Sequence, residues 1–209
     1  QIKKLHEQQT RGEYKDQWFD LTWTHSNIVK EIALRIAKEL NRKFDIEVDL
    51  DLLEAGALVH DIGVYSCFEE DLNPHEELPK YISHGHLGYE LLLKEGFDKK
   101  IARFALTHTG TGFTIEDIER ENLPFIKEDC IPVTLEEEIL CYADKFHTKY
   151  PSFATFEEQK VRLKKFDPTK GILMERFKKK FGVPEIEDLK EKYSEWQIEF
   201  DKFFHSLQK

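Results

Sequence analysis

The chain has 209 residues, enough for one domain with a sizeable core and a helical appendage. With 40% hydrophobic and 34% charged residues it suits a soluble globular protein rather than a disordered one, and no apolar run approaches the roughly 18 residues of a membrane-spanning helix. The formal net charge of −10 argues against nonspecific binding to nucleic-acid backbones, so no nucleic-acid partner is expected.

That charge is uneven. Residues 151–209 carry 13 basic and 11 acidic residues, which leaves about −12 on residues 1–150. Solvated acidic faces account for most of these charges, but an acidic half with many histidines also suits cation binding. An anionic substrate would need bound metal or local Lys to offset the field. Cys67, Cys130 and Cys141 are odd in number and lack CxxC spacing. They read as thiols of a reducing cytoplasm and argue against a zinc–thiolate site. The polar start, Gln1-Ile2-Lys3-Lys4, has no signal-peptide core behind it.

Taken in chain order, the elements are nearly all helical. Ile28, Ile32, Ile36 and Leu40 recur every four residues from Thr24 to Leu40, with His25 one turn ahead on the same inward face. Asp49 or Asp51 is a candidate cap for a second helix, an apolar run from Leu52 to Val59 that ends at His60-Asp61, with Gly63 as its stop. Residues 64–83, with Pro74, Pro79 and an acidic run, read as a loop over the helix ends. A helix from His84 to Lys94 closes on Gly96, and another, capped by Asp98, runs to about Thr107. Thr109-Gly110-Thr111-Gly112 breaks it. A short helix starts at Thr114 and ends at Asn122-Leu123-Pro124. Thr134 to Glu137 reads as a capping box whose helix carries Asp144 close to the core. After Pro151 come three helical segments near 155–165, 168–181 and 185–207. They hold no ligand cluster, and Trp196, Phe200 and Phe203 give them an apolar face for packing or for a homodimer.

Six side chains stand out at helix ends or on inward faces: His25, His60, Asp61, His84, His108 and Asp144. Helix ends can converge on one point while the helix bodies diverge. Imidazole with carboxylate is the donor set of Zn, Fe, Mn and similar ions. Each residue alone reads as a cap or a core polar group; the ordered set does not.

The segments Thr24-His25-Ser26, His60-Asp61-Ile62-Gly63, His84-Gly85-His86-Leu87-Gly88, Thr107-His108-Thr109-Gly110 and Tyr142-Ala143-Asp144-Lys145 together resemble the HD superfamily of metal-dependent phosphohydrolases, over about residues 20–150. The closest pattern is the small bacterial HD branch that hydrolyses diadenosine tetraphosphate symmetrically. The resemblance implies an all-α HD-domain helical bundle over residues 15–150 and a C-terminal helical extension over 151–209. It implies that His25, His60, Asp61 and Asp144 hold a first divalent metal, with His84 and His108 adding a second and Asp61 bridging. The metal would be Fe, Mn, Zn, Co or Ni, one ion or two. A mononuclear site with His84 or His108 on the phosphate is the rival arrangement.

The chemistry implied is hydrolysis of a phosphate ester or phosphoanhydride of a small molecule, a nucleotide first, by metal-activated hydroxide with Asp61 at its centre. Lys145 is a candidate to stabilise developing phosphate charge, and Thr109 with Lys145 to bind substrate, although a solvated Lys and a helix terminator are the plainer alternatives. His86 and His147 read as outer or surface residues rather than ligands. Two other functions fit the same residues: a di-iron oxygenase of the HD type, and a nucleotide-binding protein without catalysis.

Overall fold

The computed structural model describes residues 1–44, 46–67, 81–123, 126–148 and 152–207, the side chain of Phe166 excepted. Among these, eleven α-helices and one two-stranded hairpin make up the fold, so the predicted all-α class holds with one small β addition. No helix is long and apolar enough to cross a membrane among the described residues.

The chain opens with α1 (Ile2–Gln9), which no sequence pattern announces. Helix α2 (Lys15–Phe44) begins nine residues before the predicted start at Thr24. The reason is that Trp18, Leu21 and Thr22 extend the buried stripe of His25, Ile28, Ile32, Ile36 and Leu40 toward the N-terminus. Helix α3 (Leu50–Val59) is capped by Asp49, whose carboxylate accepts from Leu52 N at 2.9 Å.

Gly63 does not stop α3, which gives way at His60-Asp61 to a 3-10 turn over Ile62–Ser66. What requires glycine there is proximity. A Cβ on Gly63 would lie 2.0 Å from His84 O and 2.4 Å from Gly88 N. On the facing helix a Cβ on Gly88 would stand 3.1 Å from Gly63 N. Two glycines far apart in sequence thus let the His-Asp turn lie against α4 (His84–Lys94). The predicted loop at 64–83 lies outside the described residues from 68 to 80.

Gly96 closes α4 as expected, with φ 80° and paired bonds from Gly96 N to Leu93 O and from Phe97 N to Leu92 O. Helix α5 (Lys99–Thr107) is capped by Asp98, and α6 (Ile115–Arg120) by a full capping box of Thr114 and Asp117. The predicted box at α7 (Leu135–Ala143) is only half made. Thr134 accepts from Glu137 N, but the Glu137 carboxylate takes Val133 N and the Arg103 guanidinium instead, since a buried acid gains more from a cation than from closing the box.

A 3-10 turn over Asp144–Phe146 leads from α7 into β1 (His147–Thr148), which pairs antiparallel with β2 (Ser152–Phe153). The C-terminal part is α8 (Phe156–Phe166), α9 (Pro168–Phe181), α10 (Glu187–Lys192) and α11 (Ser194–Leu207). The predicted third segment is therefore two helices, divided at Tyr193.

Two apolar clusters fill the interior. One joins α2, α3 and α7 to Phe156, Leu163, Met174 and Phe177 of α8 and α9. The other joins α1, the start of α2, α4 and α5 to Phe200 and Phe204 of α11. Trp196 packs against both. Phe204, rather than the predicted Phe203, is the more buried ring of α11's apolar face. Met174 and Phe177 share a core with Ile28 and Ile32, so the C-terminal helices contribute to the interior that holds α2 in place.

Candidate metal centre

Six side chains from five places in the chain meet where helices end. His60 caps α3 and His108 caps α5. His84 opens α4, Asp144 follows α7, and Asp61 lies in the turn after His60. Only His25 stands well inside a helix, nearly three turns into α2. A helix end serves this purpose because its side chains can point along the axis, off the bundle.

The donors form two groups that share one carboxylate. Around Asp61 Oδ2 stand His25 Nε2 at 3.1 Å and His60 Nε2 at 3.4 Å, and Asp144 Oδ1 lies 3.1 Å from His25 Nε2 and 3.5 Å from His60 Nε2. Around Asp61 Oδ1 stand His84 Nε2 at 3.3 Å and His108 Nε2 at 3.2 Å, with 2.9 Å between the two imidazole nitrogens. The sets His25, His60, Asp61, Asp144 and Asp61, His84, His108 each bring their donor atoms within 4.8 Å of one another, close enough for either to hold a metal ion.

Backbone carbonyls decide which nitrogens face inward. His60 Nδ1 lies 2.7 Å from Ala57 O, His84 Nδ1 2.5 Å from Tyr81 O, and His108 Nδ1 2.8 Å from Ala105 O. Each partner is the carbonyl three residues back. A carbonyl only accepts, so each Nδ1 carries the proton and each Nε2 turns a lone pair toward Asp61. Lone pairs 2.9 Å apart repel unless a cation or a proton lies between them. Burial lowers the His108 pKa to about 3, against the opposing pull of Asp61, and keeps the ring in its neutral, ligating form at pH 7.

Burial alone would raise the pKa of the Asp144 carboxyl. The Lys145 ammonium, with the His25 and His60 imidazoles beside it, overcomes that and holds it well below the usual carboxylate range. Lys145 itself is buried. Its Nζ donates to Asp144 Oδ2 at 2.6 Å and to the His108 carbonyl at 3.0 Å. The predicted phosphate-facing lysine is thus tied to the Asp144 carboxylate, with two of its three donors engaged. Thr109 is partly exposed, and its Oγ1 stands 3.4 Å from His84 Nε2. Asp61 is fully buried, so the centre meets solvent on the side of Asp144 and Thr109.

Two neighbours carry more than their sequence pattern suggested. His147 is not a surface residue: it is 2% exposed and lies behind His25, its Nδ1 2.8 Å from His25 Nδ1. Lys170, on α9, drew no notice in the sequence. Its Nζ donates to the Gly112 carbonyl at 2.6 Å and to Asp117 at 3.1 Å, fixing the Thr109–Gly112 turn from below. The three-residue spacing from Asp144 signals His147, whereas nothing local signals Lys170. His86 lies apart from the six donors, 3.4 Å from Glu90.

Known proteins resemble this chain over 60–73% of its length. An uncharacterized protein of Methanocaldococcus jannaschii is 37% identical over 127 residues, 60% of this chain and 66% of that one. The tRNA (cytidine(56)-2'-O)-methyltransferases of Picrophilus torridus and Thermoplasma volcanium are 34% and 32% identical over 125 and 131 residues, but these stretches cover only 31% and 33% of those proteins. The chain thus spans less than two thirds of the length of each of these relatives. Among solved structures, the HD domain of the L. monocytogenes phosphodiesterase PgpH superposes with a TM-score of 0.48 at 19% identity, over 73% of this chain and 79% of that one. The model of the HD domain matches residues 22–149, more than half of the chain, and the protein belongs to that family, the metal-dependent phosphohydrolase superfamily whose motifs its sequence carries.

Proposed function

We propose that this protein hydrolyses a phosphate ester or phosphoanhydride of a small molecule, a nucleotide first among them, with two divalent metal ions. One observation carries the proposal: Asp61 turns Oδ2 toward His25 and His60 and Oδ1 toward His84 and His108, at 3.1–3.4 Å. A fully buried carboxylate between four imidazoles suits a bridging ligand better than a core hydrogen-bonding role. The first ion would be held by His25, His60, Asp61 and Asp144, the second by Asp61, His84 and His108. Bound metal supplies Lewis acidity there, polarising a phosphoryl oxygen and lowering the pKa of water toward 7.

The chain's own groups do the rest. Three carbonyl-held imidazoles keep their geometry without rearrangement, which is the preorganisation that catalysis requires. Lys145 holds the outer oxygen of Asp144, so that Oδ1 faces the donors. Thr109, on the solvent side, is placed to donate its hydroxyl proton to a phosphate oxygen, and Lys170 holds the turn that carries it. With Asp61 enclosed, substrate would approach past Asp144 and Thr109, so a phosphoryl group at the end of an extended molecule fits better than one inside a bulky fold. Dinucleoside polyphosphates carry their phosphoryl groups between two nucleosides rather than at an end, but they are extended molecules and match the branch that the motifs resemble.

The test is turnover by the purified chain, loaded with Mn, Fe, Co or Zn, on a panel of nucleotides and dinucleoside polyphosphates. Phosphate release that is lost in Asp61→Asn supports the proposal. A metal-loaded wild type without turnover on the panel, or Asp61→Asn with undiminished turnover, overturns it. Oxygen consumption in place of phosphate release would direct the same residues to oxidative chemistry.

A further inference from the structure

His25 differs from the other histidines of the centre. His60, His84 and His108 sit at helix ends, and each borrows the carbonyl three residues back. His25 lies inside α2, where the flanking carbonyls are engaged by the helix itself. Its Nδ1 meets another imidazole instead, His147 Nδ1, at 2.8 Å and across 122 residues of chain.

We infer that His147 is the positioning residue that makes His25 a metal ligand, and that the C-terminal helices hold it in place. The inference rests on the metal-site proposal above. When His25 Nε2 ligates, its Nδ1 must carry the proton and donate it. His147 must then accept at Nδ1 and keep its own proton on Nε2. Two imidazoles meeting nitrogen to nitrogen can make this bond in only one sense at a time, so the tautomer of His147 decides that of His25.

The surroundings of His147 favour one fixed ring position. It is carried on β1 and is 2% exposed. The Phe153 ring of the paired strand stands edge-on at 5.0 Å between centroids, and Trp196 of α11 lies against it at 6.1 Å. Trp196 is itself anchored, its indole N–H donating to Asp20 Oδ2 at 2.7 Å. The hairpin that no sequence pattern announced thus places the acceptor, and α11 packs behind it. Outer hydrogen-bond partners of ligating histidines typically change metal affinity by 10–100-fold when removed.

Two measurements test this, both with zinc as the probe. In the zinc-loaded wild type, 15N NMR of the imidazoles is expected to find His25 protonated on Nδ1 and His147 protonated on Nε2; the reverse assignment of His147 overturns the inference and needs no variant. In His147→Leu, zinc affinity at the first site is expected to fall roughly 10–100-fold while the metal-free melting temperature stays near that of the wild type. Wild-type affinity in that variant overturns it as well. A wild-type chain that binds no zinc, or any other divalent metal, overturns the metal-site proposal and the inference with it, and is distinguishable from both results above.

Discussion

His6 and His60 are both fully buried, and they grip the same turn of α3, yet only one belongs to the metal centre. His60 gives Nδ1 to Ala57 O and turns Nε2 toward the donors. His6, on α1, uses both nitrogens within the protein: Nε2 donates to Leu58 O at 2.8 Å, and Nδ1 accepts from the Tyr65 hydroxyl at 2.9 Å. Burial of a histidine therefore does not mark a ligand. What marks one is a single nitrogen satisfied by the fold and the other facing acceptors that cannot satisfy it. Around His6 both ring nitrogens are taken up by the fold, whereas the groups around Asp61 are arranged as two sets that could each hold a cation.

The largest effect should come from the residue that both donor groups share. Asp61→Asn is expected to remove bound metal from both sites and to lower turnover by on the order of a thousandfold or more, measured by elemental analysis and phosphate release. Retention of two ions in that variant would break the contrast, because Asp61 would then be no more a ligand than His6 is.

Gly63→Ala should separate the two groups. The added Cβ would stand 2.0 Å from His84 O, a backbone atom that can give way only if α4 moves. Overpacking of this kind costs about 1–3 kcal/mol or more, and His84 moves with the helix. The expected result is loss of the second ion with retention of the first, read as metal stoichiometry beside a lowered melting temperature.

A pH series tests the other histidine. Burial, stronger than the opposing bond to Leu58 O, lowers the His6 pKa from 6.5 to about 4. Between these values the unfolded chain binds the proton and the folded one does not. Stability from neutral His6 is thus fully present above about pH 6.5 and is lost as pH falls toward 4, by about 3 kcal/mol in all. Urea unfolding of the wild type and His6→Gln at pH 7 and pH 4.5 should show the wild type losing more stability on acidification. An equal loss in both would mean that His6 is less enclosed than its contacts indicate.

The smallest effect is expected at Lys170, which supports the centre from α9. Lys170→Met removes the lysine bond to the Gly112 carbonyl and one of the partners of Asp117, which keeps Thr114 N and Arg120, and should cost about 1–3 kcal/mol of stability, by the usual penalty for a buried group left without its bond. Metal content should not change, since no donor depends directly on this lysine.

The sequence made the six donors legible for a physical reason. Helix-end histidines and acids announce themselves by lying one turn beyond an apolar stripe or beside a glycine, and their order along the chain adds specificity that no single residue has. Helix boundaries with local caps, at Asp49, Asp98, Thr114 and Gly96, were legible for the same reason. What stayed hidden depends on distant partners. Gly63 looks like a helix stop until α4 is seen against it. Glu137 looks like half of a capping box until Arg103 claims its carboxylate. Helix α1 is short and polar, and the seat of His6 among Leu58, Tyr65 and Trp23, with Leu5 buried beside it, accounts for its place. Lys145 follows Asp144 in sequence, but its direction, back toward the His108 carbonyl, is set by packing.

The central claim is that Asp61 bridges two ions, and the metal count of the purified protein tests it most directly. Anomalous scattering or elemental analysis should find two divalent ions per wild-type chain and one in the double variant His84→Ala, His108→Ala. A single ion in the wild type, unchanged in the double variant, would contradict the account.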